Sequence, residues 1–136
     1  MSSETLRNVI ETYMFGVDAK DLEALESCFA KHAVAIYHAG TPEQRVENGG
    51  LQIAGKVHAS CKRFTASNHS ISNFVETSAG VETSTNTFAI AHVIVGSKGL
   101  VRGLRYEDKF TKENSKWVII ERRHTPIWQN EIAITA

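Results

Sequence analysis

The run His69-Ser70-Ile71-Ser72-Asn73-Phe74-Val75-Glu76-Thr77 alternates with a period of two. His69, Ile71, Asn73, Val75 and Thr77 fall on one side, and Ser70, Ser72, Phe74 and Glu76 on the other. Such alternation is the signature of a strand whose two faces are used differently. Outward from it the β pattern continues. Ala79-Gly80 supplies a turn into the β-rich run 81–95, Ser97-Lys98-Gly99 a second turn into 100–110, and Glu113-Asn114-Ser115 a third into 117–127. Four successive strands joined by short turns predict an antiparallel meander.

Upstream of it the period becomes helical. Leu6, Val9, Ile10, Tyr13, Met14 and Val17 recur at helical spacing, with Ser2 or Ser3 available as N-cap. Residues 18–21 interrupt that stripe, and Asp21 can cap a second helix carrying Leu22, Leu25, Cys28 and Phe29. Ala33-Val34-Ala35-Ile36-Tyr37 is short, apolar and β-leaning, hence a strand. Residues 41–50, with Pro42, Asn48 and Gly49-Gly50, read as a loop. Val57, Cys61 and Phe64 predict a third helix starting near Lys56. Helices first and a meander afterwards predict one α+β domain over 1–136, with the helices on one face of the sheet. A twisted sheet curling over helices leaves a concavity, a natural ligand pocket.

Composition narrows the partners. The 136 residues carry 15 basic and 15 acidic side chains, so no phosphate-neutralising excess exists and nucleic acid is not the expected partner. No apolar run approaches the roughly 18 residues of a membrane span, and Met1-Ser2-Ser3-Glu4 lacks the basic and apolar regions of a signal peptide. Cys28 and Cys61 are widely spaced and read as reduced core residues of a cytoplasmic protein.

Several chemistries lose their sequence basis. His32, His38, His58, His92 and His124 show no metal-ligand spacing, and no Cys-x-x-Cys pair occurs, so no metal is expected. Gly49-Gly50 and Gly55 lack the context of a phosphate loop, no Gly-x-Ser-x-Gly elbow is present, and no cofactor is expected. Asp18 on its own reads as a turn or cap residue. His69 on its own reads as a structural histidine on a partly apolar face.

Four segments change that reading: Gly16-Val17-Asp18, Asn68-His69-Ser70-Ile71-Ser72-Asn73, Tyr106-Glu107-Asp108-Lys109-Phe110 and Trp117-Val118-Ile119-Ile120-Glu121-Arg122. Together with the element order, over about residues 4–128, the chain resembles the SnoaL-like branch of the NTF2-like superfamily. The resemblance implies a cone of about three N-terminal helices packed in a curved, mostly antiparallel sheet. Within the superfamily the pattern is similar to hexachlorocyclohexane dehydrochlorinase and to bile-acid and scytalone-type dehydratases. That similarity gives Asp18 and His69 the role of a catalytic dyad, Arg122 that of an active-site arginine and Tyr13 that of a catalytic tyrosine. Phe15, Tyr37 and Asn73 are expected to bind substrate. The base aspartate of ketosteroid isomerase has no counterpart, since Tyr37-His38 stands in its place. Arg105 with Glu107 or Asp108 approaches the epoxide-hydrolase set, and reads as a solvated strand pair. Strand parity puts Arg122 with Val118, Ile120 and His124 and puts Arg123 on the other face, but both faces carry apolar groups.

The resemblance therefore implies a cofactor-independent lyase acting on a small apolar substrate, cyclic ones included. A carboxylate bonded to one imidazole nitrogen fixes the tautomer, and the other nitrogen can take a proton. The alternatives are an isomerase, cyclase or epoxide hydrolase on the same scaffold, or a non-catalytic small-ligand-binding protein. A homodimer or homotrimer is also expected. Thr83, Thr85, Thr87, Ala89 and Ala91 make one small-residue strand face, and Phe88, Ile90 and Ile94 make the other apolar, so both ask for cover.

Overall fold

The computed structural model describes residues 5–135. Helix α1 (Leu6–Ala19) buries Leu6, Val9, Ile10, Tyr13, Met14, Gly16 and Val17. Its N-cap is Thr5, whose hydroxyl accepts from the Asn8 N–H at 3.1 Å; Ser2 and Ser3 lie outside the described residues. The helix runs past the expected interruption, so Asp18 sits in its last turn. Lys20 ends it in the left-handed region, at φ 56°. That conformation costs a non-glycine residue about 1 kcal/mol or more, offset here by tertiary anchors. Lys20 Nζ donates to the Phe64 carbonyl at 2.6 Å, and the His58 ring Nε2 lies 3.2 Å from the Lys20 carbonyl.

Helix α2 (Leu22–Glu26) is capped by Asp21 as its sequence predicts, the carboxylate accepting from Ala24 N–H. It is shorter than expected. Cys28 lies beyond its end, and Phe29 already opens strand β1 (Phe29–Tyr37), which begins four residues before the predicted run at Ala33. The segment read as a loop contains strand β2 (Arg45–Asn48), paired antiparallel to Val34–Tyr37 of β1. Helix α3 (Gly50–Cys61) starts earlier than Lys56. Its glycine is there for contact: a Cβ on Gly50 would overlap the Ala30 carbonyl oxygen. The four-strand meander follows as β3 (Ala66–Ala79), β4 (Glu82–Val95), β5 (Lys98–Glu113) and β6 (Lys116–Ala133).

The six strands form one sheet in the order β2-β1-β6-β5-β4-β3, with β1 and β6 parallel and every other pair antiparallel. Three register shifts bend the meander: near Ser72 in β3, and opposite Lys109/Phe110 and Gly103/Leu104 in β6. Extra residues of this kind kink a strand and increase its twist, and here they curl the sheet around the helices. On the concave side β4 presents Thr85, Thr87, Ala89, Ala91 and Val93, all buried. The small-residue face is thus covered by the protein's own core, and small side chains leave room for the aromatic groups above them. Ile10, Leu25, Ile53 and Ile119 are fully buried between helices and sheet, each worth about 1.5–3 kcal/mol relative to exposure. Cys28 and Cys61 are buried, and Cys28 Sγ donates to the Ala24 carbonyl at 3.3 Å.

Candidate active site

Between the helices and the concave sheet lies a cavity of about 550 Å³, opening along α1, α3 and strands β1, β5 and β6. It is reached by His69, Tyr13, Tyr37, Tyr106 and His124, with Val17, Val57, Phe64, Leu100 and Leu104 as apolar wall.

Asp18 and His69, 51 residues apart, meet here. His69 Nδ1 lies 2.7 Å from Asp18 Oδ1, the His69 backbone N–H donates to Oδ2 at 2.7 Å, and Ser67 Oγ donates to Oδ1 at 2.8 Å. Burial by itself would raise the Asp18 pKa, but the His69 side-chain and backbone bonds, the attraction of the imidazole and the Ser67 bond bring it below the usual carboxylate value. A carboxylate held by three donors stays ionised, and it fixes the proton of the neutral ring on Nδ1. Among the described residues Nε2 of His69 has no hydrogen-bond partner. The His69 side chain is only 7% exposed.

Lining the same cavity as His69 is a phenol network. The Tyr13 and Tyr37 hydroxyls are 2.8 Å apart, and Arg122 Nη1 donates to Tyr37 OH at 3.3 Å. Burial, reinforced by Tyr37 and Tyr106, raises Tyr13 well above the ordinary phenol value, and burial raises Tyr37 and Tyr106 as well. All three therefore keep their protons, and within the Tyr13–Tyr37 pair one hydroxyl donates and the other accepts.

Arg122 stands behind this network and does not line the cavity. Its Nε and Nη2 form a bidentate pair with Asp108 at 2.7 and 3.0 Å, both side chains fully buried. Its guanidinium lies 4.1 Å from the Tyr13 ring centre and 4.6 Å from that of Tyr106. Burial opposes its charge, but Asp108 and the phenols raise its pKa well above the ordinary value. Arg123 is exposed. The epoxide-hydrolase comparison thus divides: Arg105 and Glu107 are a loose, half-exposed pair at 3.8 Å, whereas Asp108 is buried on Arg122.

Two expected substrate contacts point elsewhere. Phe15 is 62% exposed on the outer side of α1, in an open groove beside Asp18. The α1 stripe that buries Tyr13, Met14 and Val17 turns the intervening Phe15 outward. Asn73 is exposed because the register shift near Ser72 reverses the alternation, and Phe74 takes the inward place after Ile71.

The sequence reading passed over a second histidine pair. His124 Nδ1 accepts the His38 backbone N–H at 3.1 Å, which leaves Nε2 as its donor. Burial, then the charges of His38, Arg122, Arg102 and Arg45, lowers the His124 pKa well below the ordinary imidazole value. Its place on the row Arg122, His124 of β6 was the available signal. Among the described residues no group of three or more His, Cys, Asp or Glu is arranged to hold a metal ion, and no helix is long and apolar enough to cross a membrane.

A curved sheet wrapped around three helices, with an Asp-bonded histidine lining the cavity between them, defines the NTF2-like class of α+β cone. The chain belongs to the SnoaL-like domain family, whose model matches residues 2–123. A comparison with curated protein sequences finds no significant match. Among solved structures, a proposed scytalone dehydratase from Novosphingobium aromaticivorans is similar at 14% identity and TM-score 0.80, over 96% of this chain and 87% of its own. A hexachlorocyclohexane dehydrochlorinase from Novosphingobium barchaimii is similar at 11% identity and TM-score 0.80, over 94% and 88%. A proposed aromatic ring hydroxylase from N. aromaticivorans matches at 15% and 0.80, over 93% and 90%. At such identities the likeness is one of fold.

Proposed function

We propose that the protein is a cofactor-independent lyase of the dehydratase or dehydrohalogenase type, with His69 as base. The observation that carries the reading is the 2.7 Å bond between Asp18 and His69 Nδ1, which leaves Nε2 of this cavity-lining ring unengaged among the described residues. Nε2 takes a proton from a substrate carbon. The released electron pair forms the C=C bond, and the leaving group departs from the neighbouring carbon with its own electron pair. Asp18 stabilises the imidazolium that results. The hydroxyl of the Tyr13–Tyr37 pair that accepts within the pair keeps its own proton to donate to the departing oxygen or halide, or to a substrate carbonyl. Arg122 is a positioning residue that holds and polarises Tyr37 from behind. The dehydratase and dehydrochlorinase among the structural neighbours are consistent with elimination, and the apolar walls suit a largely apolar substrate. The reading includes a homodimer or homotrimer through the outer sheet face, where Phe88, Ile127 and Trp128 stay exposed.

The test is His69→Ala against a panel of β-hydroxy and β-halo carbonyl compounds and cyclic polyhalides. Turnover should fall by ~10²–10⁴ or more with the circular dichroism spectrum unchanged. Solvent ¹⁸O should not enter the product. Retained turnover in His69→Ala, or ¹⁸O incorporation, overturns the lyase assignment.

A further inference from the structure

From Leu104 onward strand β5 alternates in burial, with Leu104, Tyr106, Asp108 and Phe110 facing the core, and Leu100 continues that row along the cavity wall. Arg102 stands on that same row, between two leucines of the cavity wall. Its counterpart on the row, Asp108, is neutralised by Arg122. Arg102 is not neutralised: among the described residues its guanidinium has no hydrogen-bond or ion-pair partner. The same holds for the Arg63 side chain, which also reaches the cavity. Arg45 is a third cation on the wall and leans on the Tyr37 ring at 5.2 Å, paired with Glu47 at 3.3 Å. Against these three guanidinium groups the cavity lining offers one carboxylate, Glu43. In a chain whose formal charge is zero, this is a concentrated local excess.

An unpaired guanidinium beside apolar walls is a poor structural element, because partial burial costs it hydration that no partner returns. It is a good element for capturing an anion, where its fork of N–H donors fits a carboxylate, sulfonate or phosphate. His124 adds to that wall. Its Nδ1 is taken by the His38 backbone, so its remaining ring nitrogen can only donate.

We propose that the cavity binds an amphipathic anion, whose charged group seats on Arg102 with Arg63 and His124 beside it while its apolar body extends toward His69. The subsite would fix which C–H bond meets Nε2, so it sets regiochemistry as well as affinity. This deepens the lyase reading and rests on the same cavity, but binding can be measured without turnover.

The probes are 8-anilinonaphthalene-1-sulfonate and its uncharged relative N-phenyl-1-naphthylamine, titrated by fluorescence against the full chain. The sulfonate should bind more tightly by about tenfold, the worth of one charge-assisted hydrogen bond, and that preference should shrink with added salt. Arg102→Gln should erase the preference while leaving the neutral dye's Kd unchanged. Arg102→Lys should keep most of it, and amide shifts on the sulfonate's addition should centre on 100–106. His69→Ala changes the wall at the ligand's apolar end for both dyes alike and should keep the sulfonate's preference, which separates failure of the subsite from failure of the catalytic reading. Equal affinity for the two dyes, no binding of either, shifts confined to the outer sheet face, or an unchanged preference in Arg102→Gln would overturn the proposal.

Discussion

Asp18→Asn is the sharpest probe of the dyad, because the geometry dictates which way the new amide must turn. Three donors converge on the native carboxylate: His69 Nδ1–H and Ser67 Oγ–H on Oδ1, and the His69 backbone N–H on Oδ2. An amide kept with its oxygen toward Nδ1 would aim its NH₂ group at the backbone N–H 2.7 Å away. Two donors facing each other in a half-buried site cost ~1–3 kcal/mol. The flipped amide gives its oxygen to the backbone N–H and points NH₂ at the imidazole and at Ser67, whose hydroxyl can rotate to accept. The flipped form therefore wins by about 5–150-fold, the population ratio that such an energy implies. Its consequence falls on the ring. With an NH₂ group at its side, Nδ1 must become the acceptor, so the proton moves to Nε2 and occupies the lone pair that the base needs. Shape is preserved and chemistry is lost, with turnover down ~10²–10⁴. The assay needs no substrate: long-range ¹H–¹⁵N NMR in mildly alkaline buffer distinguishes the two neutral tautomers. The native protein should show the Nδ1–H form of His69 and Asp18→Asn the Nε2–H form. An Nδ1–H ring in both proteins would refute the argument.

Acid should weaken the fold through His124. Its folded pKa is depressed by burial, so below about pH 6.5 the unfolded chain binds a proton that the native state refuses. Stability conferred by the neutral ring is present above that pH and is lost as pH falls, at up to about 1.4 kcal/mol per unit; urea titrations should show this slope flattened in His124→Asn. Asp18, also depressed, acts with the same sign at still lower pH, where its carboxylate protonates. Arg122→Met strands a buried Asp108 and should cost ~3–5 kcal/mol in denaturant titration, most of it recovered in Arg122→Met/Asp108→Leu. Gly50→Ala should cost ~1–3 kcal/mol, because the added methyl meets the Ala30 carbonyl. Light scattering should give a mass of two or three 15.0 kDa chains, and a monomer at working concentration contradicts self-association through the outer face.

What the sequence discloses divides along a physical line between local periodicity and non-local register. Helix α1 and the meander are legible because each is a period-3.6 or period-2 pattern closed by a nearby cap or turn, and Asp21 announces α2 by itself. Strand β2 is not legible: Arg45–Asn48 becomes a strand only by pairing with β1, across a segment rich in turn residues. Gly49-Gly50 looks like punctuation, whereas Gly50 marks a close approach to β1 inside the start of a helix. Parity fails wherever a strand gains a residue. The shift near Ser72 exchanges Asn73 for Phe74, and the one opposite Lys109/Phe110 buries Val118 and Ile119 together, so parity alone could not choose between Arg122 and Arg123.

The same rule shows where parity can be trusted. Strand β5 carries no extra residue of its own from Leu100 to Phe110: its register with β4 is unshifted, and both shifts against β6 place the extra residue on β6. Leu104, Tyr106 and Phe110 fix the inward phase by burial alone, and that phase forces two charged residues inward, Arg102 and Asp108. One charge facing a core calls for a partner, and Asp108 has Arg122 directly across the ladder. Arg102 stands opposite Ala91 on one side and Gln129 on the other, neither of which can supply a charge. A cation placed inward by the strand period, with no anion supplied by either neighbouring strand, is the arrangement expected of a residue whose counter-ion arrives with the ligand.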